Sequence, residues 1–287
     1  MTSRRSFGER LVAAVEAYGP LCVGIDPHPG LLAAWGLADD AAGLERFAMT
    51  ALEALGGHVA VVKPQSAFFE RHGAAGVAVL ERLLAATAQT GTLSLLDVKR
   101  GDIGSTMDGY ADAYLRVGAP LAADAVTLSP YLGLGSLAPA LRVAGEAGRG
   151  VFVLARTSNP EGAEVQLADR AGRSVAQAIV DGVAALNAGV TPLGHVGVVV
   201  GATDAHGLAL GELNGAVLAP GIGAQGAGPG DVAARFAGAG GLVLPSASRS
   251  VLGAGPDPGA VRAAALALGN EIARENSTAG RSGGGRP

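Results

Sequence analysis

The sequence predicts an α/β protein folded as a single closed (β/α)8 (TIM) barrel, and three observations carry that prediction. Eight short apolar segments alternate with helical patterns along a chain of 287 residues. Most of those segments are continuous hydrophobic runs, as strands covered on both faces require, rather than the alternation of a half-exposed sheet. Polar residues recur where the segments end: Asp26, Lys63, Asp97, Lys99, Ser158, Gln225 and Arg249. In such a barrel the chemistry sits at the C-terminal ends of the strands, and a scattered surface would not set its charges at successive strand ends. An open doubly wound sheet is the competing arrangement; eight units in one unbroken alternation favour closure.

The elements follow in order. Residues 6–18 pattern as a short amphipathic helix ended by Gly19-Pro20, before the first strand, LCVGID, which runs into the turn residues Pro27, Pro29 and Gly30. A helix is expected over 41–55, and HVAVVKP is strand two, stopped by Pro64. A helix near 74–89 leads to strand three at Leu93, and another runs from Ser105 to about Val117. DAVTLSP (124–130) is strand four, followed by a helix near 136–146; GVFVLARTSNP (150–160) is strand five, followed by a longer helix over 168–188. Strands six to eight are HVGVVVGAT (195–203), GAVLAPGIG (215–223) and GLVLPS (241–246), and a last helix covers 258–274. With no composition break before it, residues 1–276 are expected to form one domain, and the Gly/Ser/Arg-rich residues 277–287 a disordered tail.

Composition narrows the function. A net charge of −4, with no long basic run, makes nucleic acid an unexpected partner. No signal-like apolar core opens the chain and no run of 18 apolar residues occurs, so no membrane is expected. The lone Cys22 excludes an intrachain disulfide and suits a reducing compartment, the cytoplasm; in the strand LCVGI it reads as a small buried hydrophobe. The five histidines, His28, His58, His72, His195 and His206, are scattered without metal-ligand spacing, so no metal is expected.

Chemistry concentrates in LSLLDVKRGDIGST, Leu93 to Thr106. Side-chain alternation places Leu95, Asp97 and Lys99 on one face of the strand, with Leu96 and Val98 on the other. A carboxylate and an ammonium on an apolar strand are costly to bury unless they pair or react. Locally a structural ion pair and a functional one are equally good readings; the recurrence of charges at other strand ends favours the functional one. The loop after strand seven, APGIGAQGAGPGD, holds Gly221, Gly223 and Gly226 in a literal G-x-G-x-x-G. A Rossmann site fails on context, because the following strand GLVLP does not end in an acidic residue. A Gly-rich loop after strand seven with Arg249 just past strand eight matches instead the phosphate site of barrels, where amides approach an anion closely and an Arg clamps it.

With these residues placed, the chain resembles the orotidine 5′-phosphate decarboxylases in their longer bacterial form, over about residues 7 to 275. The principal match is D-x-K-x-x-D-I-G-x-T at Asp97, Lys99, Asp102, Ile103, Gly104 and Thr106. Flanking matches are GIDP at Asp26, VVKPQSAFFE at Lys63, TSNP at Ser158, PGIGAQG at Gln225 and SRS at Arg249. The resemblance implies cofactor-free decarboxylation of orotidine 5′-monophosphate, the last step of de novo UMP synthesis. It implies Lys99 as proton donor, Asp97 beside the substrate carboxylate, Lys63 bridging Asp97 and the ribose, and Asp26 on a ribose hydroxyl. By the same resemblance Ser158 contacts the pyrimidine, and Gln225 and Arg249 hold the phosphate, with Gly223 and Gly226 in the loop beside it. Asp102 and Thr106 would reach into the neighbouring subunit's site, making a homodimer with shared sites.

Three rivals use the same residues differently. A sugar-phosphate decarboxylase or synthase on the same barrel needs Mg2+ and an acidic residue at the end of strand two, where this chain has Lys63. A Schiff-base aldolase needs a neutral Lys99, which the flanking carboxylates oppose. A non-catalytic nucleotide-phosphate binder leaves four alternating charges, Lys63, Asp97, Lys99 and Asp102, without a purpose.

Overall fold

The structure, a computed structural model, describes residues 5–203, 205–223 and 226–282. Eight parallel strands close into the expected barrel: β1 (Cys22–Ile25), β2 (Val61–Pro64), β3 (Leu93–Arg100), β4 (Ala125–Leu128), β5 (Gly150–Arg156), β6 (Val196–Val200), β7 (Val217–Pro220) and β8 (Val243–Ala247). Every strand pairs with its neighbours in chain order. β8 returns to β1 with Ser246 opposite Cys22 and Ala247 opposite Val23. Within the barrel no strand edge is left open, and both faces of its strands are covered, which is why Val, Leu and Ala dominate them.

Helices α1 (Phe7–Tyr18), α2 (Pro29–Ala34), α3 (Ala41–Leu55), α4 (Ser66–Glu70), α5 (Gly73–Thr87), α6 (Gly104–Tyr114), α7 (Ala138–Ala147), α8 (Gly162–Gln166), α9 (Val175–Asn187), α10 (Pro229–Arg235), α11 (Arg249–Leu252) and α12 (Pro258–Ser282) surround the barrel. Their starts are written locally. Ser6 and Glu9 form a reciprocal capping box on α1, while Asp40 and Ser174 cap α3 and α9.

The alternation is less regular than the sequence suggested. Among the described residues no helix follows β6; the segment 201–216 carries glycines at 201, 207, 211 and 215 and no helical period. The single helix expected over 168–188 is broken. α8 comes first, then a small hairpin pairing Asp169–Arg170 with Arg173–Ser174, then α9. Ala171 and Gly172 both take left-handed backbone at that turn, and the Ser174 cap restarts the helix. The Pro/Gly-rich stretch after β1 holds the short α2. α12 runs eight residues past its expected end at 274, through Ser282 and into the segment expected as a disordered tail; residues 283–287 lie outside the described ones. None of the described helices is long and apolar enough to cross a membrane.

Two layers of core result. An outer layer packs helices on the barrel wall. The inner one fills the barrel with Cys22, Val61, Leu95, Phe152, Leu218 and Leu244, and α1 closes its lower end with Phe7, Leu11 and Ala14. Phe7 meets Phe152 edge-on, ring centroids 6.1 Å apart, over Gly150, where any Cβ would lie 2.5 Å from the Phe7 ring. Arg10 fastens the plug, donating to Asp124 Oδ1 at 2.6 Å and to the Gly148 carbonyl at 2.7 Å. Burial pushes the Cys22 thiol up to about 12, so this cysteine is a packing residue.

Candidate active site

The upper end of the barrel opens into a cavity of about 530 Å3. Asp97 organises its floor. Both of its oxygens are fully engaged: Oδ2 accepts from Lys63 Nζ and Gln65 Nε2, each at 3.0 Å, while Oδ1 accepts from Lys99 Nζ at 2.6 Å and Thr127 Oγ1 at 2.8 Å. These partners come from the ends of β2, β3 and β4, so the barrel's register assembles the site. Gln65 bridges to Asp97 beyond the end of the β2–β3 ladder.

The charges are buried to different degrees. Lys63 and Asp97 keep only 7% and 6% exposure, so each is viable as an ion only because of the other. The Lys99 side chain is 45% exposed and faces the open cavity. Burial alone would raise the Asp97 pKa. The Lys63 charge, then the Lys99 charge and the hydrogen bonds from Lys99 and Thr127, outweigh it and hold the carboxyl far below the usual range. Burial likewise pulls Lys63 down, but Asp97 and then Asp26 overcome it and keep the ammonium above the ordinary lysine value.

A stability prediction follows from these directions. Asp97→Ala would strand the Lys63 ammonium, at a cost of about 3–5 kcal/mol in a urea unfolding curve. The depressed Asp97 contributes above the ordinary carboxylate pKa and loses its contribution as pH falls through the folded value. The raised Lys63 contributes below the ordinary lysine pKa and loses it as pH rises through its own folded value. The deficit of the variant should therefore shrink below about pH 4, where the wild-type chain loses the contribution of Asp97. A deficit that kept growing in acid would refute the ion pair.

Lys99 reaches the cavity by a route that side-chain alternation does not describe. Its backbone is left-handed (φ 46°), and the β3–β4 register shifts between Leu96 and Arg100. The amides of Val98 and Lys99 donate to Thr127 Oγ1, at 3.1 and 3.0 Å, in place of a strand carbonyl. Asp97 and Lys99 thus meet because the chain turns there, not because they share a flat strand face.

Of the residues singled out from the sequence, Asp26, Lys63, Asp97, Lys99, Ser158 and Arg249 line this one cavity. Asp26 has a buried Oδ1 without a partner among the described residues, an acceptor suited to a ligand hydroxyl. Arg249 opens α11 with its side chain exposed at the rim and makes no ion pair among the described residues. Asp102 and Thr106 do not line the cavity; they sit on the loop after β3 and in the first turn of α6, and Asp102 Oδ1 accepts its neighbour's amide from Ile103 at 2.8 Å. Gln225 lies outside the described residues. Gly223 and Gly226 take left-handed backbone (φ 75° and 95°), but their amides are engaged within the loop, donating to Ala227 O at 2.9 Å and Gly223 O at 3.0 Å, while Gly221 and Ile222 face the cavity. Sequence reasoning missed Gln65 and Thr127. Gln65 was recoverable, since it lies two residues after Lys63 and alternation puts both on one face. Thr127 carries no charge, and only the register of β4 against β3 singles it out. Thr157, Asn159 and Gln166 also line the cavity; Gln166 ties down Thr157 by accepting from its amide at 2.9 Å and donating to its hydroxyl at 2.8 Å.

Fold and site together define a barrel enzyme that works with a fixed array of lysines and carboxylates at its strand ends. The model of the "Orotidine 5'-phosphate decarboxylase / HUMPS family" matches residues 19–264. Orotidine 5′-phosphate decarboxylases of Salinispora arenicola and Streptomyces coelicolor are 62% and 57% identical, over 91% and 93% of this chain and 94% and 96% of theirs. A crystal structure of a candidate orotidine 5′-phosphate decarboxylase from Streptomyces avermitilis superposes with a TM-score of 0.92 at 55% identity, covering 96% of this chain and 98% of that one. The chain belongs to the orotidine 5′-phosphate decarboxylase / HUMPS family.

Proposed function

We infer that this chain is a carbon–carbon lyase that decarboxylates orotidine 5′-monophosphate to UMP without a cofactor, the last step of UMP synthesis. The observation that carries the reading is Asp97 held between Lys63 and Lys99, with the Lys99 ammonium open to the cavity. Loss of CO2 from C6 leaves a carbanion with no adjacent carbonyl or imine to delocalise it. A fixed ammonium beside C6 stabilises that charge as it develops and then delivers the proton. In this reading Asp97 lies beside the departing carboxylate, Lys63 fixes Asp97 and reaches the ribose, Asp26 takes a ribose hydroxyl and Ser158 the pyrimidine. Arg249, with Gln225 and the Gly223–Gly226 loop, holds the phosphate, whose binding energy helps organise a site remote from it.

The magnesium-dependent alternative fits less well. A lysine stands at the end of β2 in place of a carboxylate, and four donors occupy the oxygens of Asp97, leaving it no lone pair for a cation. Turnover of orotidine 5′-monophosphate, followed by CO2 release, should survive exhaustive chelation. Activity lost to chelation and restored by Mg2+ would overturn the reading.

The phosphate assignment has its own test. Arg249→Ala should lower kcat/KM for the nucleotide by roughly 30- to 100-fold, the worth of about 2–3 kcal/mol for a charged hydrogen bond, and barely affect phosphate-free orotidine. Equal losses on both substrates would show that Arg249 does not hold the phosphate.

We further propose that two copies pair, so that Asp102 and Thr106 complete the partner's site. Supporting this is the exposed apolar side chain of Ile103, at 61%, next to Asp102. The single buried cysteine suits the reducing cytoplasm, where we place the protein.

A further inference from the structure

Lys99 occupies a backbone conformation that a residue with a side chain adopts only at a cost, so the surrounding structure must hold it there. We propose that Arg100, the next residue, is a positioning residue that clamps the Lys99 turn and is anchored on Glu70 of α4. The guanidinium spans the turn: Nη1 donates to the Val98 carbonyl at 3.2 Å, and Nη2 donates to Glu70 Oε1 at 2.5 Å. The residue just before Lys99 is thereby tied to a neighbouring helix through the residue just after it. Glu70 is itself fixed, since Ser66 Oγ donates to the same oxygen at 2.5 Å across one turn of α4. The guanidinium also lies 5.9 Å from the centre of the Tyr110 ring on α6, so α4 and α6 hold it from two sides.

The main chain closes the other side of the turn. The Ser129 amide donates to the Arg100 carbonyl at 2.7 Å, and Gly101 packs so tightly on that strand end that a Cβ would lie 2.3 Å from the Ser129 carbonyl oxygen. Pairing with β4 therefore resumes at Arg100 after slipping at Lys99. An ordinary surface ion pair would matter little. This one differs because half of the Arg100 fork engages a main-chain carbonyl next to the catalytic lysine, a geometry a lysine at this position cannot reproduce. Neither Arg100 nor Glu70 lines the cavity of its own chain, and their contacts lead to it through the Lys99 turn.

The inference rests on the decarboxylase reading only in that Lys99 must do the chemistry. Its test uses the full-length chain with Arg100→Met, Arg100→Lys, Glu70→Gln and the Arg100→Met/Glu70→Gln double variant, measuring kcat, KM, melting temperature and amide exchange of the 96–101 segment. Arg100→Met should lower kcat by roughly ten- to a hundredfold, the range expected from displacing a catalytic group by about 1 Å. KM should stay within about threefold, because the lysine acts on the transition state. Exchange at 96–101 should accelerate while the melting temperature changes little. Arg100→Lys should stay close to Arg100→Met. Glu70→Gln should shift kcat in the same direction, and the double variant should be no slower than Arg100→Met, since a clamp without its anchor is already lost. An unchanged kcat with unchanged exchange, losses that multiply in the double variant, or a rise in KM that accounts for the whole effect would overturn the clamp. Should Arg100→Met fail to fold, Glu70→Gln decides through the same two readouts. If the wild-type chain did not turn over orotidine 5′-monophosphate, the decarboxylase reading would fall, while the exchange measurement would still judge the clamp.

Discussion

Lys99→Ala is expected to lower kcat by at least roughly a thousandfold, about 4 kcal/mol, while UMP binding measured by titration calorimetry changes by less than about threefold. The expected size follows from two roles in one group. Proton delivery by a positioned acid is worth roughly 10²- to 10⁴-fold, and a preorganised charge aimed at the developing carbanion adds to it. Both act only as the C6–carboxylate bond breaks, so the loss should fall on kcat. The fold should tolerate the change, because Asp97 keeps Lys63, Gln65 and Thr127 as donors and Lys99 is the most exposed member of the set. A variant keeping more than about a tenth of kcat, an effect under roughly 1.4 kcal/mol, would assign the proton to another group.

Co-refolding Lys99→Ala with Asp102→Ala should recover activity from two nearly inactive proteins. If Asp102 serves the partner's cavity, a mixed dimer has one site carrying both lesions and one carrying neither. At equal ratio about half of the dimers are mixed by random two-fold pairing, so about a quarter of all sites become intact. If Asp102 serves its own chain, every site in a mixed dimer keeps one lesion, and mixing restores nothing. The position of Asp102 outside its own cavity, beside the exposed Ile103, motivates the experiment.

The barrel was legible because most of its β-strands are short apolar runs whose ends are marked by a charge or a proline, β6 with its Gly201-Ala202-Thr203 end being an exception. Lys63-Pro64 shows this at β2 and Asp97-Val98-Lys99 at β3. Helical periods are visible in the sequence after strands one to five and after strand eight only; among the described residues no helix follows β6, but the short α10 after β7 was not legible because its segment is rich in glycine and proline. Within the site, Asp97 and Lys99 announced themselves by their cost of burial on an apolar strand, and Asp26 and Lys63 by their place at strand ends. Thr127 and the manner of Lys99's approach were not, for one reason. Both depend on how β3 is registered against β4, and the left-handed turn that slips this register has no glycine to signal it. The loop glycines were a different case: the sequence suggests amides free to approach an anion closely, whereas Gly223 and Gly226 are left-handed and their amides bond within the loop.

The α1 plug makes the barrel a cup rather than a tube. Phe7 and Leu11 stop its lower end, and packed side chains from Cys22 to Leu244 fill the space above them, so among the described residues no passage runs through the barrel. On the decarboxylase reading, gas and nucleotide must both depart by the rim through which the substrate arrived. Whatever sits over that rim then sets the exit order of both products, and traffic through a single doorway becomes a property of the fold itself.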